Sequence, residues 1–485
     1  MSRRLPGRSA RRAAAAALSL AAAVAPGATG QERETALGAA SLAADLRSVP
    51  VGGTLRLRGV ARQGTPLQPA RLERFEVLAP GARIVERFGP APGETRSLPA
   101  PDNRYFRGRL DDGTRLYLSQ RANGELRGIL AGAGRYWILS NRSGGRALAA
   151  PRTEPVAERA FAERDFACEA DRLVSPRQQL EQLGLLSAPA PAPAAAGVYS
   201  AQVGIESDFE YYQLFGNATD AADYALDLIA YASSTYAHEI STELTVSHLS
   251  IHSTSADPWQ EFSTTCGMLE FGRFWNDNRS GVSRSFAHFL SGKGNGGGVA
   301  WLGTLCGGPF NVNVSGAGCS LAPAVDNYGG DYGYSGTLDG NFDLENPSVV
   351  WDVVVTQHEI GHNFDSPHTH CYAGIGGASP VDACYGAEEG CYAGAGSLPS
   401  GCPGPGQGCG TLMSYCHLLP GGMANVGPSF GTGHPYGTDP DRVASRMSSF
   451  VAARNLASPG CLPEAGLFDD GFETGDTSAW SASLP

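Results

Sequence analysis

The chain has 485 residues, 42% of them hydrophobic and 17% charged, with a formal net charge of −12; that length allows about three units of ordinary domain size. Charge is unevenly placed: residues 31–195 hold 24 Arg, no Lys and 18 acids, a net of +6, whereas residues 196–485 hold 7 Lys and Arg against 30 acids, a net of −23. The acidic part lacks the clustered cations that a nucleic acid or an anionic membrane requires. A basic stretch followed by an acidic one suggests two domains that attract each other; a solvated acidic surface is the plainer alternative.

Residues 1–30 read as an export signal. Arg3, Arg4, Arg8, Arg11 and Arg12 form a basic start, residues 13–25 an apolar core, and Ala28-Thr29-Gly30 offers small residues for cleavage before Gln31. The apolar run is too short to span a bilayer, and no later run is long enough. Within the basic region, residues 105–139 alternate in short runs broken by Asp111-Asp112-Gly113, Asn123-Gly124 and Gly132-Ala133-Gly134. These are hairpin signals and predict a mostly β region. Residues 187–197 (SAPAPAPAAAG) read as a semi-rigid linker, exposed to proteolytic processing.

The acidic region opens on a predicted strand, 198–206, then a helix over 220–240 with Ala225, Leu228, Ile229, Ala232 and Tyr236 at core spacing, then a strand over 243–251. Strand, helix, strand implies a largely parallel sheet covered by helices. A further helix is expected over 267–278. After it, the glycine run 296–298 precedes an apolar strand predicted over 299–305. The edge of such a strand can pair with an extended peptide, or the glycines can serve only a hairpin of the sheet.

Residues 356–370 read TQHEIGHNFDSPHTH. Residues four apart share a helix face, so His358 and His362 can direct their imidazoles at one ion, with Glu359 beside them and Ile360 on an apolar face with Val353, Val354 and Phe364. Two helical ligands, a third from beyond the helix and an open fourth position describe a catalytic zinc site. Zinc lowers the pKa of its bound water to about 7, and a nearby carboxylate can then take the proton. His368 is the first candidate for the third ligand; Asp365 and His370 are rivals.

The string HEIGHNFDSPH resembles the metzincin peptidases, and most closely their reprolysin (adamalysin, ADAM-type) branch. The resemblance implies that His358, His362 and His368 bind zinc and that Glu359 is general base and acid. This chain has Asp365 where the family has Gly; the turn out of the helix there needs a positive φ, which Asp tolerates. Residues 410–416 (GTLMSYC) resemble the family's Met-turn, with Met413 packing beneath the ligands. Tyr415 stands where astacin- and serralysin-type relatives place a zinc-approaching tyrosine, which makes it a candidate oxyanion donor. The glycine run and the strand after it resemble the family's cleft edge, and the basic region resembles its propeptide.

The six other histidines, at 238, 248, 252, 288, 417 and 434, have no ligand spacing and are expected in the core or at the surface. Of eleven cysteines, ten lie in the acidic region, enough for five disulfides in an oxidising compartment, with a pairing the sequence does not specify. The odd one, Cys168, precedes the linker. Thiolate is a strong zinc ligand, so Cys168 is expected to block the metal in the precursor; a thiol with no role at the metal is the alternative. The acidic aromatic stretch 468–480 is left without a role.

The reading is therefore an α/β, metzincin-like catalytic domain with a mixed, largely parallel twisted sheet and a zinc cleft, preceded by a mostly β propeptide domain. Its divisions are 1–30 signal, 31–197 propeptide and linker, 198–462 zinc metallopeptidase domain, and 463–485 acidic tail. The function expected is secreted zinc-dependent hydrolysis of protein substrates from a latent zymogen. A non-catalytic or non-peptidase zinc-binding protein on the same scaffold is the alternative. Zinc is the expected cofactor and structural calcium a further candidate; protein substrates and the chain's own propeptide are the expected partners.

Overall fold

The computed structural model of the chain describes residues 33–60, 66–89, 93–132, 134–156, 167–168, 198–345 and 347–463. The expected signal, the Pro/Ala linker and all of the tail but Pro463 lie outside them. The basic region supplies β1 (Arg33–Ala36), α1 (Leu42–Arg47), β2 (Thr54–Val60), β3 (Gln68–Phe75), β4 (Leu78–Arg87), β5 (Thr95–Leu98), β6 (Arg104–Leu110), β7 (Arg115–Gln120), β8 (Leu126–Gly132), β9 (Arg135–Ser143), β10 (Arg146–Pro155) and β11 (Ala167–Cys168). The expected β character holds, and the hairpin turns fall where the glycines stand, with Gly113, Gly124 and Gly134 at positive φ. Eight of these strands form one sheet in the order β1-β2-β3-β6-β7-β8-β9-β10, antiparallel except for β1 against β2. Period-2 alternation gives it two apolar faces. Leu55, Leu57, Leu72, Phe106 and Leu118 face α1, while Tyr105, Tyr117, Ile129 and Ile138 face the acidic region.

The acidic region supplies β12 (Tyr199–Ser207), α2 (Phe209–Gln213), α3 (Ala218–Ile240), β13 (Thr242–His252), α4 (Thr264–Asn278), β14 (Phe286–Leu290), β15 (Gly297–Ala300), β16 (Phe310–Asn313), β17 (Val325–Gly329), β18 (Tyr332–Ser335), α5 (Val349–Asn363) and α6 (Asp441–Ala457). Helix α3 starts where the Asn217 side chain accepts from the Asp220 amide, and it stops at Ser241 in the left-handed conformation; Ser263 caps α4 in the same way. Alternation along β14 sends Phe286 and Leu290 to the α3 and α5 side, and Ala287 and Phe289 to the α4 side. The sheet is thereby covered on both faces.

That second sheet runs β11-β15-β18-β14-β12-β13-β4-β5. Its centre is parallel, and β15 is antiparallel to β18. Three of its strands come from the basic region. The hairpin β4–β5 extends the sheet beyond β13, with β4 parallel to it from Leu78 opposite Val246 to Arg87 opposite His252. At the other end the two residues of β11 lie parallel to β15, Ala167 opposite Gly297 and Cys168 opposite Gly298.

The charge contrast is expressed as specific ion pairs. Arg107 reaches Glu243 at 2.6 Å, Arg115 reaches Glu239 at 3.1 Å, and Arg121 reaches Asp223 at 2.9 Å. Asp227, fully buried on α3, takes both Arg121 and Arg127 and accepts from the Tyr117 hydroxyl. Arg87 approaches the fully buried Glu206, which His252 and Arg279 also face. Attraction between the regions, and not solvation alone, accounts for these residues.

One strand is shorter than expected. β15 takes in Gly297 and Gly298 and ends at Ala300, so residues 301–305 are not a strand. They turn to serve the end of α5: the Gly303 and Leu305 amides donate to the carbonyls of His362 and Asn363, in the last turn, whose carbonyls lack i+4 partners.

Candidate metal centre

The zinc-motif residues lie on α5, which is buried on every face. His358 and His362 sit one turn apart with ring centroids 4.9 Å from each other. The helix ends at Asn363, and the chain turns at Asp365 with φ 72°, the positive φ expected at that position. The turn carries His368 back to the pair, its ring 5.3 Å from His358 and 4.8 Å from His362. Asp365 is held elsewhere, its carboxylate 3.0 Å from Arg446. His370 lies beyond His368 with its ring stacked on it, and its Nε2 donates to Glu388 at 2.7 Å.

Each of the three clustered imidazoles is oriented through Nδ1. His358 donates to Leu412 O at 2.6 Å, His362 to Ser366 O at 2.7 Å and His368 to Glu388 Oε2 at 2.8 Å. An Nδ1–H committed to an oxygen leaves Nε2 with a lone pair, as a metal ligand requires. Burial, followed by the neighbouring histidines, pushes His358 well below the usual imidazole range and His362 down to about 3; both favour the neutral, ligating form. Nε2 of His368 is buried and makes no hydrogen bond.

The fourth member of the cluster is Cys168. Its thiol is buried and in no disulfide. Sγ lies 3.4 Å from His362 Nε2 and 3.5 Å from Glu359 Oε2, and the ligand atoms of Cys168, His358, His362 and His368 all lie within 4.8 Å of one another. A buried set of three imidazoles and a thiol suits zinc by donor type. The buried, unbonded His368 Nε2 offers the lone pair such a metal would use. The residues fit the metal.

Glu359 is fully buried beside the cluster; burial drives its carboxyl well above the usual range, against the opposing hydrogen bond from Cys168, and its Oε1 has no hydrogen-bond partner. It packs on β15 so closely that a Cβ on Gly298 would lie 2.5 Å from its Cγ. Beneath the helix, Met413 is fully buried, and a Cβ on Gly361 would meet its Sδ at 2.5 Å. Tyr415 packs on His368 with ring centroids 4.2 Å apart and a 46° tilt, and its hydroxyl donates to the carbonyl of Cys168 at 2.6 Å.

The sequence reading missed Glu388, which sits eighteen residues beyond His370 with no motif to mark it. Burial alone would raise its carboxyl, but the hydrogen bonds and charge of His368 and His370 outweigh that and hold it well below the usual range. Of the six other histidines, His252 contacts Glu206, His288 Ser335 and His434 the Cys409 carbonyl. Five disulfides use the ten cysteines of the acidic region: 266–319, 306–461, 371–391, 384–416 and 402–409. Two further groupings of acids, His and Cys, around Cys371 and around Cys384 with Cys416, involve sulfurs already spent in these bonds. No helix among the described residues is long and apolar enough to cross a membrane.

A mixed, largely parallel sheet with an HExxH helix, a returning third histidine and a methionine beneath them defines the class: a metzincin-type metallopeptidase domain. Residues 200–418, a little under half of the chain, match the model of metallo-peptidase family M12, in its reprolysin group. A match to that family points to zinc; neither the match nor the clusters speak for calcium. Among solved structures, metalloproteinase-II from Bacteroides fragilis is similar at 13% identity and TM-score 0.33, over 70% of this chain and 90% of that one. A chaperone–substrate complex is similar at 12% identity and TM-score 0.24, over 36% of this chain and 24% of that one. No curated protein matches the chain.

Proposed function

We propose that the chain is a secreted zinc endopeptidase made as a latent zymogen, with 31–197 as its propeptide and 198–462 as its catalytic domain. The carrying observation is the position of Cys168, whose sulfur completes the group formed by His358, His362 and His368. When bound, zinc would polarise the peptide carbonyl and acidify the attacking water. His358, His362 and His368 hold the ion. Glu359 removes the proton from that water as it attacks and delivers it to the leaving amine, so the peptide bond is replaced by a carboxyl group and an amine. Tyr415, already donating to a backbone carbonyl at this spot, is placed to donate to the oxygen that gains charge. The edge of β15 that accepts β11 as a short strand is suited to an extended substrate peptide once β11 is gone.

Latency follows from the same arrangement, because Cys168 takes the coordination position that water needs. Five disulfides accord with secretion. Glu359 is not needed to hold the metal, so a protein that kept the metal for structure alone would have no use for a carboxylate beside it. The test is casein degradation by the full chain, by Cys168→Ser and by Cys168→Ser/Glu359→Gln, each with and without chelator. Activity is expected in Cys168→Ser alone and only without chelator. Zinc retained by a Cys168→Ser protein that degrades nothing would favour the non-catalytic zinc-binding alternative.

A further inference from the structure

The three clustered histidines are not held alike. His358 and His362 stand on a buried helix and donate to backbone carbonyls, Leu412 and Ser366, groups that no side-chain change removes. His368 arrives on extended backbone (φ −61°, ψ 147°) ahead of a single 3₁₀ turn, Thr369–Cys371. A side chain orients its ring: Glu388 Oε2 accepts from His368 Nδ1 at 2.8 Å and, with the same oxygen, from His370 Nε2 at 2.7 Å. Both rings are buried and lie nearly parallel, 11° apart. Glu388 is brought there by a loop closed by the Cys371–Cys391 disulfide, and the Tyr392 amide donates to His370 O at 3.1 Å just beyond it.

We propose that Glu388 is a positioning residue for the metal, selecting the His368 tautomer whose Nε2 faces His358 and His362 while drawing the neighbouring His370 out of the coordination group. One carboxylate oxygen does both. A carboxylate on the far nitrogen also raises the basicity of the ligating one, and loss of such a partner typically costs about 10–100-fold in metal affinity. This rests on the reading of the cluster as a zinc site.

The experiment measures zinc affinity by competition with a chromophoric chelator, on the full chain carrying Glu359→Gln so that no proteolysis intervenes. Against that parent, Glu388→Ala is expected to bind zinc roughly 10–100-fold more weakly. The isosteric Glu388→Gln keeps one acceptor oxygen without the charge and is expected to fall between the two; it carries the test if the alanine variant does not fold. The cobalt-substituted Glu388→Gln protein is expected to show a shifted visible ligand-field band, which a merely structural role would leave in place. Affinity and band both equal to those of the parent would overturn the inference while leaving the metal site standing. A parent that takes up no zinc would overturn the metal reading and this inference with it.

Discussion

The basic region grips the two ends of one sheet in opposite ways. At the β13 end, β4 pairs over the length of the strand and Arg87 meets a buried carboxylate. Behind it, the first sheet is pinned to α3 by Arg121 and Arg127 on Asp227. At the β15 end, the described contact is the two residues of β11, which bring one sulfur and one carbonyl to the candidate metal centre. On the proposed reading, anchoring and blocking are separated in space: the anchor is broad and made of buried charge, and the proposed block reaches the candidate metal centre through β11.

If that division is right, the largest loss comes from the anchor. Arg121→Ala leaves Asp227 buried with Arg127 and Tyr117 as its remaining partners and is expected to cost about 3–5 kcal/mol in denaturant unfolding, the usual penalty for breaking a buried ion pair. A loss below about 1 kcal/mol would make the anchor no stronger than a surface bridge.

Glu206 makes the next largest effect, and it depends on pH. Burial would raise its carboxyl, but the hydrogen bond with His252 and the charges of Arg279 and Arg87 bring it down to about 2 from an ordinary 4.5. A depressed value contributes stability above the unfolded value, and that contribution is lost as pH falls from 4.5 toward 2, about 3 kcal/mol in all. Stability measured across that range should drop in the parent and change less in Glu206→Gln; equal slopes would show that Glu206 is not what holds this end together.

At the other end, Gly298→Ala would drive a methyl into Glu359. It is expected to cost roughly 1–3 kcal/mol in stability, as overpacking does, and to suppress the activity of a Cys168→Ser background far more than that loss would. An alanine variant with full activity would show that Glu359 need not lie against β15.

The smallest change in stability is expected from the block itself. Cys168→Ser replaces one sulfur in a two-residue strand and should shift unfolding by less than about 1 kcal/mol while releasing activity. A large destabilisation would mean that blocking and anchoring are one device after all.

What repeats over short distances could be read from the residues alone. Spacing of four placed His358 and His362 on one face, and period-2 runs with glycine turns marked the β6–β9 meander. The positive φ of Asp365 was legible only through the resemblance, whose family has Gly there, a residue suited to a left-handed turn. The parallel sheet followed from strand–helix–strand order. The folded chain joins residues far apart in sequence: Arg121 meets Asp227 106 positions away, and Cys168 meets Glu359 191 positions away. The basic and acidic totals implied attraction, but which arginine meets which carboxylate depends on how the first sheet seats on α3. The same holds for the departure of β4–β5 into the second sheet, the disulfide pairing, and Glu388, which becomes a partner of His368 only because a closed loop folds back over it. Local periodicity reports the backbone an element prefers; partners across the fold are chosen by packing and burial, and no short window of sequence contains both members of such a pair.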